Sequence, residues 1–175
     1  ADEIDLEVIQ GTHVAVLGDN GQGKTTFLRT LADDLAAKAG SYRWGEGLRI
    51  AYYAQHVFRA LRPDNDVYSH LAGMAAPTVT RQEILNLAGS FLFKGNDVEK
   101  KVSVLSGGEQ ARLCLAGLLL TKSQVLLLDE PSLGLAPSLV NDLLGQIRRI
   151  AAQGAAVLLA EQNVAAALDV ADRIA

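Results

Sequence analysis

Gly18-Asp19-Asn20-Gly21-Gln22-Gly23-Lys24-Thr25 is the stretch on which the reading of this chain turns. It follows an apolar run, His13–Gly18, with the character of a buried strand closed by glycine. It precedes a segment from Lys24 to about Lys38 that carries Phe27, Leu28, Leu31 and Leu35 at helical spacing. Strand, glycine-rich turn and helix in that order form a cradle for phosphate. The glycines let successive backbone N–H groups point at phosphate oxygens, and the helix N-terminus adds its dipole. The pattern G-x-x-x-x-G-K-[ST] assigns Lys24 to the β- and γ-phosphates and the Thr25 hydroxyl to Mg2+. Gly18, Asp19, Asn20, Gly21, Gln22 and Gly23 make up the rest of the loop, and Thr26 is the next candidate along the helix. A glycine-rich structural turn is the plain alternative.

Working outward, Val125-Leu126-Leu127-Leu128-Asp129-Glu130 is an aliphatic strand ending in two carboxylates. In a parallel sheet such a strand delivers both to the carboxyl edge, where phosphate loops sit. Asp129 would hold Mg2+, directly or through water, and Glu130 could orient and polarise an attacking water. A solvated acidic strand end is the alternative. Ala155–Ala160 reads as a third core strand, with Asn163 capping a last helix. Between strands, a helix has Pro137 at its start and Gly154 past its end. Ser41–Trp44 and Leu48–Ala54, joined across Gly45-Glu46-Gly47, look like a hairpin. Asp64 to Phe93 turns helical, with Thr80-Arg81-Gln82-Glu83 as a capping box. Strands alternating with helices imply an α/β fold: a mostly parallel sheet flanked by helices, plus the hairpin and an inserted helical subdomain at about 60–105.

The chain has 175 residues and a net charge of −4, from 16 Lys+Arg against 20 Asp+Glu. That length suits one domain whose core needs no disulfide or metal staple. The acidic balance excludes a broad basic surface that grips nucleic acid by phosphate neutralisation alone, and no direct DNA binding is expected. One cysteine, Cys114, excludes an internal disulfide framework and a cysteine-based zinc site. Set among Ala111–Ala116, it reads as a small apolar helix residue rather than a reactive thiol. Apolar runs such as Leu113–Leu120 fall short of the roughly 20 residues that cross a bilayer. The acidic N-terminus lacks the apolar core of a secretory signal. The expectation is a cytoplasmic domain.

Leu105-Ser106-Gly107-Gly108-Glu109-Gln110 supplies a second anion-binding nest at a helix start. One nucleotide hardly needs two nests in one chain unless a second polypeptide supplies one of them. With this motif the sequence resembles the ABC ATPase family, of the P-loop NTPase fold. In that family two nucleotide-binding domains pack head to tail and close over each ATP. The resemblance implies that Ser106, Gly107 and Gly108 contact the γ-phosphate bound on the partner's Lys24 side. It also implies that Gln55, in Tyr52-Tyr53-Ala54-Gln55, meets Mg2+ and the attacking water, and that Gln162 takes the switch position usually held by histidine. Glutamine can hydrogen-bond a γ-phosphate but cannot carry a proton near neutral pH. His13, His56 and His70 read as surface or strand-end histidines that do not replace it.

From about Gly11 to Pro131 the chain is similar to the ABC-F branch, the translation-associated members. The residues are Gly47–His56, Phe91-Leu92-Phe93 and Lys101–Leu113. From Ser132-Leu133-Gly134-Leu135-Ala136-Pro137 onward, including Leu158–Asn163, it is similar to ATPase subunits of branched-chain amino-acid importers. The change at Asp129-Glu130-Pro131 suggests a recombined or engineered chain, with a divergent natural homologue as the alternative. Three departures bear on catalysis. Residues 1–17 contain no aromatic ring to stack on adenine, Ala136 stands where many members carry aspartate, and Gln162 replaces the usual histidine. The last helix is expected to run to Ala175 without a closing strand, so both ends read as truncated. The resemblance implies a MgATP-hydrolysing domain that pairs with a second such domain, as a homodimer or tandem partner. ABC-F members point to the ribosome, and importer ATPases to membrane transporter subunits. A nucleotide-binding module without useful catalysis and a scaffold fragment are the readings from other classes.

Overall fold

The computed structural model describes residues 4–54, 61–133, 135–168 and 171–174. Two compact units emerge. One gathers the described residues of Ala1–Gln55, Ser123–Leu133 and Pro137–Ala175; the other gathers those of His56–Lys122 and Gly134–Ala136.

The first unit is a five-stranded sheet in which every pairing is parallel. In chain order it contains β1 (His13–Leu17), α1 (Lys24–Leu31), β2 (Ile50–Tyr53), β3 (Val125–Asp129), α5 (Pro137–Ala152), β4 (Ala156–Glu161), α6 (Val164–Leu168) and β5 (Arg173–Ile174). The strand order is β2-β3-β4-β1-β5. β3 and β4 sit inside the sheet and are buried along their whole length, which is why both read as unbroken apolar runs. Val14, Val125, Leu127 and Leu158 pack with Leu28 and Leu31 of α1, so the phosphate-loop helix is seated on the core. The alternate residues Leu126, Leu128, Val157 and Leu159 are equally buried. α5 packs on β4 and buries Leu143, Leu144 and Ile147. Register places Leu17 opposite Glu161 and Asp129 opposite Ala160, so the reactive ends of β1, β3 and β4 lie along one edge.

Three sequence expectations change here. Ser41–Trp44 forms no strand, and Ile50–Tyr53 pairs in parallel with β3 instead of closing a hairpin. A strand as apolar as β3 offers Ile50–Tyr53 more burial than the polar Ser41-Tyr42-Arg43 does. Trp44 instead packs against the core, and its Nε1 donates to Leu31 O at 2.9 Å, satisfying a carbonyl at the end of α1. The helix expected to reach Lys38 stops at Leu31, because Asp33 enters the left-handed region (φ 59°) in an Asp33-Asp34 turn. Finally, the chain does not end in a helix: β5 adds to β1 as a fifth strand, with Asp172 N donating to His13 O. The Asp172 carboxylate in turn accepts from His13 N at 2.8 Å, which places the strand.

The second unit holds α2 (Val67–Met74), α3 (Arg81–Ser90) and α4 (Gly107–Leu120). Thr80 and Glu83 form the expected capping box at α3. His70 and Met74 of α2 lie against Gly117 of α4, so closely that a Cβ there would come within 3.2 Å of the Met74 side chain. Cys114 lies buried on α4, and burial pushes its thiol up to about 12, which removes it as a nucleophile. Among the described residues no helix is long and apolar enough to cross a membrane.

Candidate phosphate and metal site

The loop between β1 and α1 is held by its own bonds. Asp19 N donates to the Gln22 side chain at 3.0 Å, and Phe27 N donates to Gly23 O at 2.8 Å to start the helix. Gly21 (φ 82°) and Gly23 (φ 91°) occupy the left-handed region that favours glycine, so those two glycines carry the turn. Lys24 is 7% exposed, and its Nζ donates to Gly18 O at 2.7 Å and Asp19 O at 3.0 Å. The ammonium is therefore drawn across the mouth of the loop, where phosphate oxygens would meet it.

Asp129 and Glu130 are consecutive yet face different partners. Asp129 is wholly buried; its Oδ1 accepts from Thr25 Oγ1 at 3.1 Å and its Oδ2 from the Tyr52 hydroxyl at 3.4 Å. Burial holds its carboxyl above the usual range; Glu130 adds to this, while the Thr25 hydrogen bond opposes it. Burial likewise raises the Tyr52 phenol, with Asp129 contributing, so Tyr52 stays a hydroxyl donor. The Glu130 Oε1 accepts from Gln162 Nε2 at 2.6 Å and lies 3.7 Å from Lys24 Nζ. Gln162 Nε2 also donates to Asn20 Oδ1 at 2.5 Å, linking the end of β4 to the phosphate loop.

The Thr25 hydroxyl and the Asp129 carboxylate form a pair of hard oxygen donors at the helix start. That donor set fits Mg2+, which takes one or two protein oxygens and completes its shell with water and substrate phosphate. The arrangement can bind a phosphate chain, hold a divalent cation beside it and present a carboxylate for proton transfer.

Of the predicted residues, Gly18 to Thr25, Asp129, Glu130 and Gln162 come together in the first unit. Thr26 is on α1 but exposed, its carbonyl accepting from Thr30 Oγ1. Gln55 and His56 lie outside the described residues. Ser106, Gly107 and Gly108 open α4 in the second unit. There Ser106 is the N-cap of a full capping box: its N and Oγ both donate to Glu109 Oε2, at 2.8 and 2.6 Å. Glu109, whose carboxyl these bonds hold below the usual range, was missed, although Ser-Gly-Gly-Glu spells the same S-x-x-E box as Thr80–Glu83. Tyr52 and Glu161 were missed as well. Glu161 is 2% exposed, and its Oε1 accepts from Ser132 N at 3.1 Å.

Comparison with known proteins agrees with this geometry. A family profile described as "ABC transporter" matches residues 1–133. "Probable ATP-binding protein YheS" of Haemophilus influenzae is 38% identical over 130 residues, which is 74% of this chain and 20% of that relative. The chain thus spans about a fifth of the length of that relative. "High-affinity branched-chain amino acid transport ATP-binding protein BraG" of Pseudomonas aeruginosa is 33% identical, over 98% of this chain and 79% of its own length. One relative runs through both sides of Asp129-Glu130-Pro131, so a recombined origin is not needed to explain the change in character there. A solved ATP-binding subunit of an ABC transporter superposes with a TM-score of 0.77 at 25% identity, covering 95% of this chain and 75% of that one.

Proposed function

The chain belongs to the ABC transporter family of ATPases, whose general activity is ATP hydrolysis, and from that premise we propose that it is a single nucleotide-binding domain that hydrolyses MgATP slowly as one half of a head-to-tail pair. The observation that carries the reading is the divergence of two adjacent carboxylates, Asp129 to Thr25 and Glu130 to Lys24 and Gln162. Thr25 and Asp129 hold Mg2+; when bound, the metal withdraws charge from the phosphate oxygens. Lys24 neutralises the β- and γ-phosphates. Glu130 orients a water and takes its proton as the water oxygen bonds to the γ-phosphorus and the bond to the ADP oxygen breaks. Gln162 holds Glu130 through Nε2 and shuttles no proton. The family resemblance assigns Gln55 to the metal and the attacking water, and Gly18 to Gly23 with Thr26 would complete the nucleotide contacts. Ser106, Gly107 and Gly108 close over the nucleotide bound to the partner domain.

The resemblance of the motifs through Pro131 to the translation-associated ABC-F branch favours a role beside the ribosome. The importer relative, which covers 98% of this chain, favours membrane transporter subunits as the second reading. Phosphate release from MgATP, measured across a range of protein concentrations, tests the proposal. A rate per chain that rises with concentration is expected. No release at any concentration, from protein that MgATP still stabilises against melting, would leave a binding module and refute hydrolysis.

A further inference from the structure

Glu161 is the last residue of β4 and, at 2% exposed, among the most deeply buried side chains of the chain, yet the mechanism above leaves it without a task. A buried carboxylate costs free energy unless hydrogen bonds repay it. Here they come from backbone: Ser132 N donates to Oε1 at 3.1 Å, and the amides of Gln162 and Asn163 also face the carboxylate. One side chain thereby gathers the backbone just after Glu130 and the backbone that carries Gln162.

What lies between makes the contact matter. Glu130 sits in the left-handed region, with φ 49°, a conformation that L side chains adopt only where the surroundings over-determine it. Glu130 N is held by Ala160 O at 2.9 Å, and Leu133 N returns to Glu130 O at 3.0 Å. Ser132, inside that turn, is anchored from across the sheet edge by Glu161. Gln162, next in sequence to Glu161, supplies the bond to the Glu130 carboxylate itself. Backbone and side chain of Glu130 therefore both trace back to the same buried group.

We infer that Glu161 is a positioning residue for hydrolysis: through Ser132 N and Gln162 it fixes the strained turn that aims the Glu130 carboxylate. The contacts described for it are to Ser132, Gln162 and Asn163, and not to Thr25 or Asp129. The inference rests on the hydrolytic reading above. Glu161→Gln keeps the volume but removes the charge and can turn an NH2 group toward the Ser132 N–H. A displacement on the order of 1 Å at a reacting group costs up to about a hundredfold in rate. Turnover in E161Q is expected to fall at least about tenfold, with KM for MgATP within about threefold of wild type. A role confined to folding would lower the melting temperature without that split.

Three measurements on the full chain decide it: steady-state phosphate release, the MgATP-induced shift in melting temperature, and amide exchange at Ser132. E161Q should keep the thermal shift, lose turnover and exchange faster at Ser132. Should E161Q fail to fold, Glu161→Asp carries the same test, because it keeps the charge but is one methylene too short to reach Ser132 N. Turnover in the folded variant equal to that of wild type overturns the inference alone. So does unchanged Ser132 protection, which is read without any turnover. A wild-type chain that MgATP stabilises but that releases no phosphate overturns both the hydrolytic reading and this one.

Discussion

Replacing Glu130 by Gln separates binding from chemistry at this site. The amide keeps an oxygen for Gln162 Nε2, which now donates to Oε1 at 2.6 Å, so the side chain retains its anchor. Lys24 loses a carboxylate 3.7 Å away but keeps its bonds to Gly18 O and Asp19 O, so the ammonium is not left unpaired. The lost attraction, about 4 kcal/mol at an effective dielectric near 20, is set against the several kcal/mol of desolvation that a buried carboxylate no longer bears. The melting temperature of the free chain should therefore move little. Burial first, and Glu130 as a neighbouring charge, raise the Asp129 carboxyl, so E130Q eases ionisation of Asp129 and favours metal binding. Loss of the group that takes the proton from water costs about 10²–10⁴-fold, or about 3–5 kcal/mol of barrier. The assay is phosphate release at saturating MgATP, run beside the MgATP-induced melting shift. E130Q should lose turnover by that factor and match or exceed the wild-type shift. Turnover within about threefold of wild type would remove Glu130 from the chemistry.

Two further outcomes follow from the same geometry. Asp129→Asn should abolish the Mg2+-dependent part of ATP stabilisation and yet raise the melting temperature of the free chain. A carboxyl whose pKa is raised by folding costs stability in full above its folded pKa, and the cost disappears below its unfolded pKa. The D129N advantage should accordingly shrink as pH falls from about 8 to about 4; a constant gap in melting scans would contradict the burial argument. In the helical unit, Thr80→Ala removes one half of the α3 capping box and should cost about 1 kcal/mol, read by denaturant titration or by amide exchange over Arg81–Ser90, with no effect on ATP affinity.

The helices and strands that bear the phosphate loop were legible because local chemistry specifies them. Val14 and Ala15 must be buried, Gly21 and Gly23 suit the left-handed loop dihedrals, and Leu28 and Leu31 face the core whatever lies beyond. Misreadings arose where a segment had two possible partners. Ile50–Tyr53 could close a hairpin or join β3, and only the burial available beside Val125–Leu128 decides between them. Arg173–Ile174 carries too short a pattern to be seen as a strand until β1 offers it an edge.

By itself the sequence determined the phosphate loop, the Asp129-Glu130 pair at a strand end, the capping signals and the family they imply. Each of these is written within a few consecutive residues, where backbone sterics and hydrophobic period act. Only the tertiary structure decided that Tyr52 and Thr25 share Asp129, that Gln162 joins Glu130 to Asn20, and that Glu161 reaches Ser132. Such contacts join residues up to 142 positions apart. Sheet register sets them, and register follows from how all the apolar faces are buried together rather than from any one stretch.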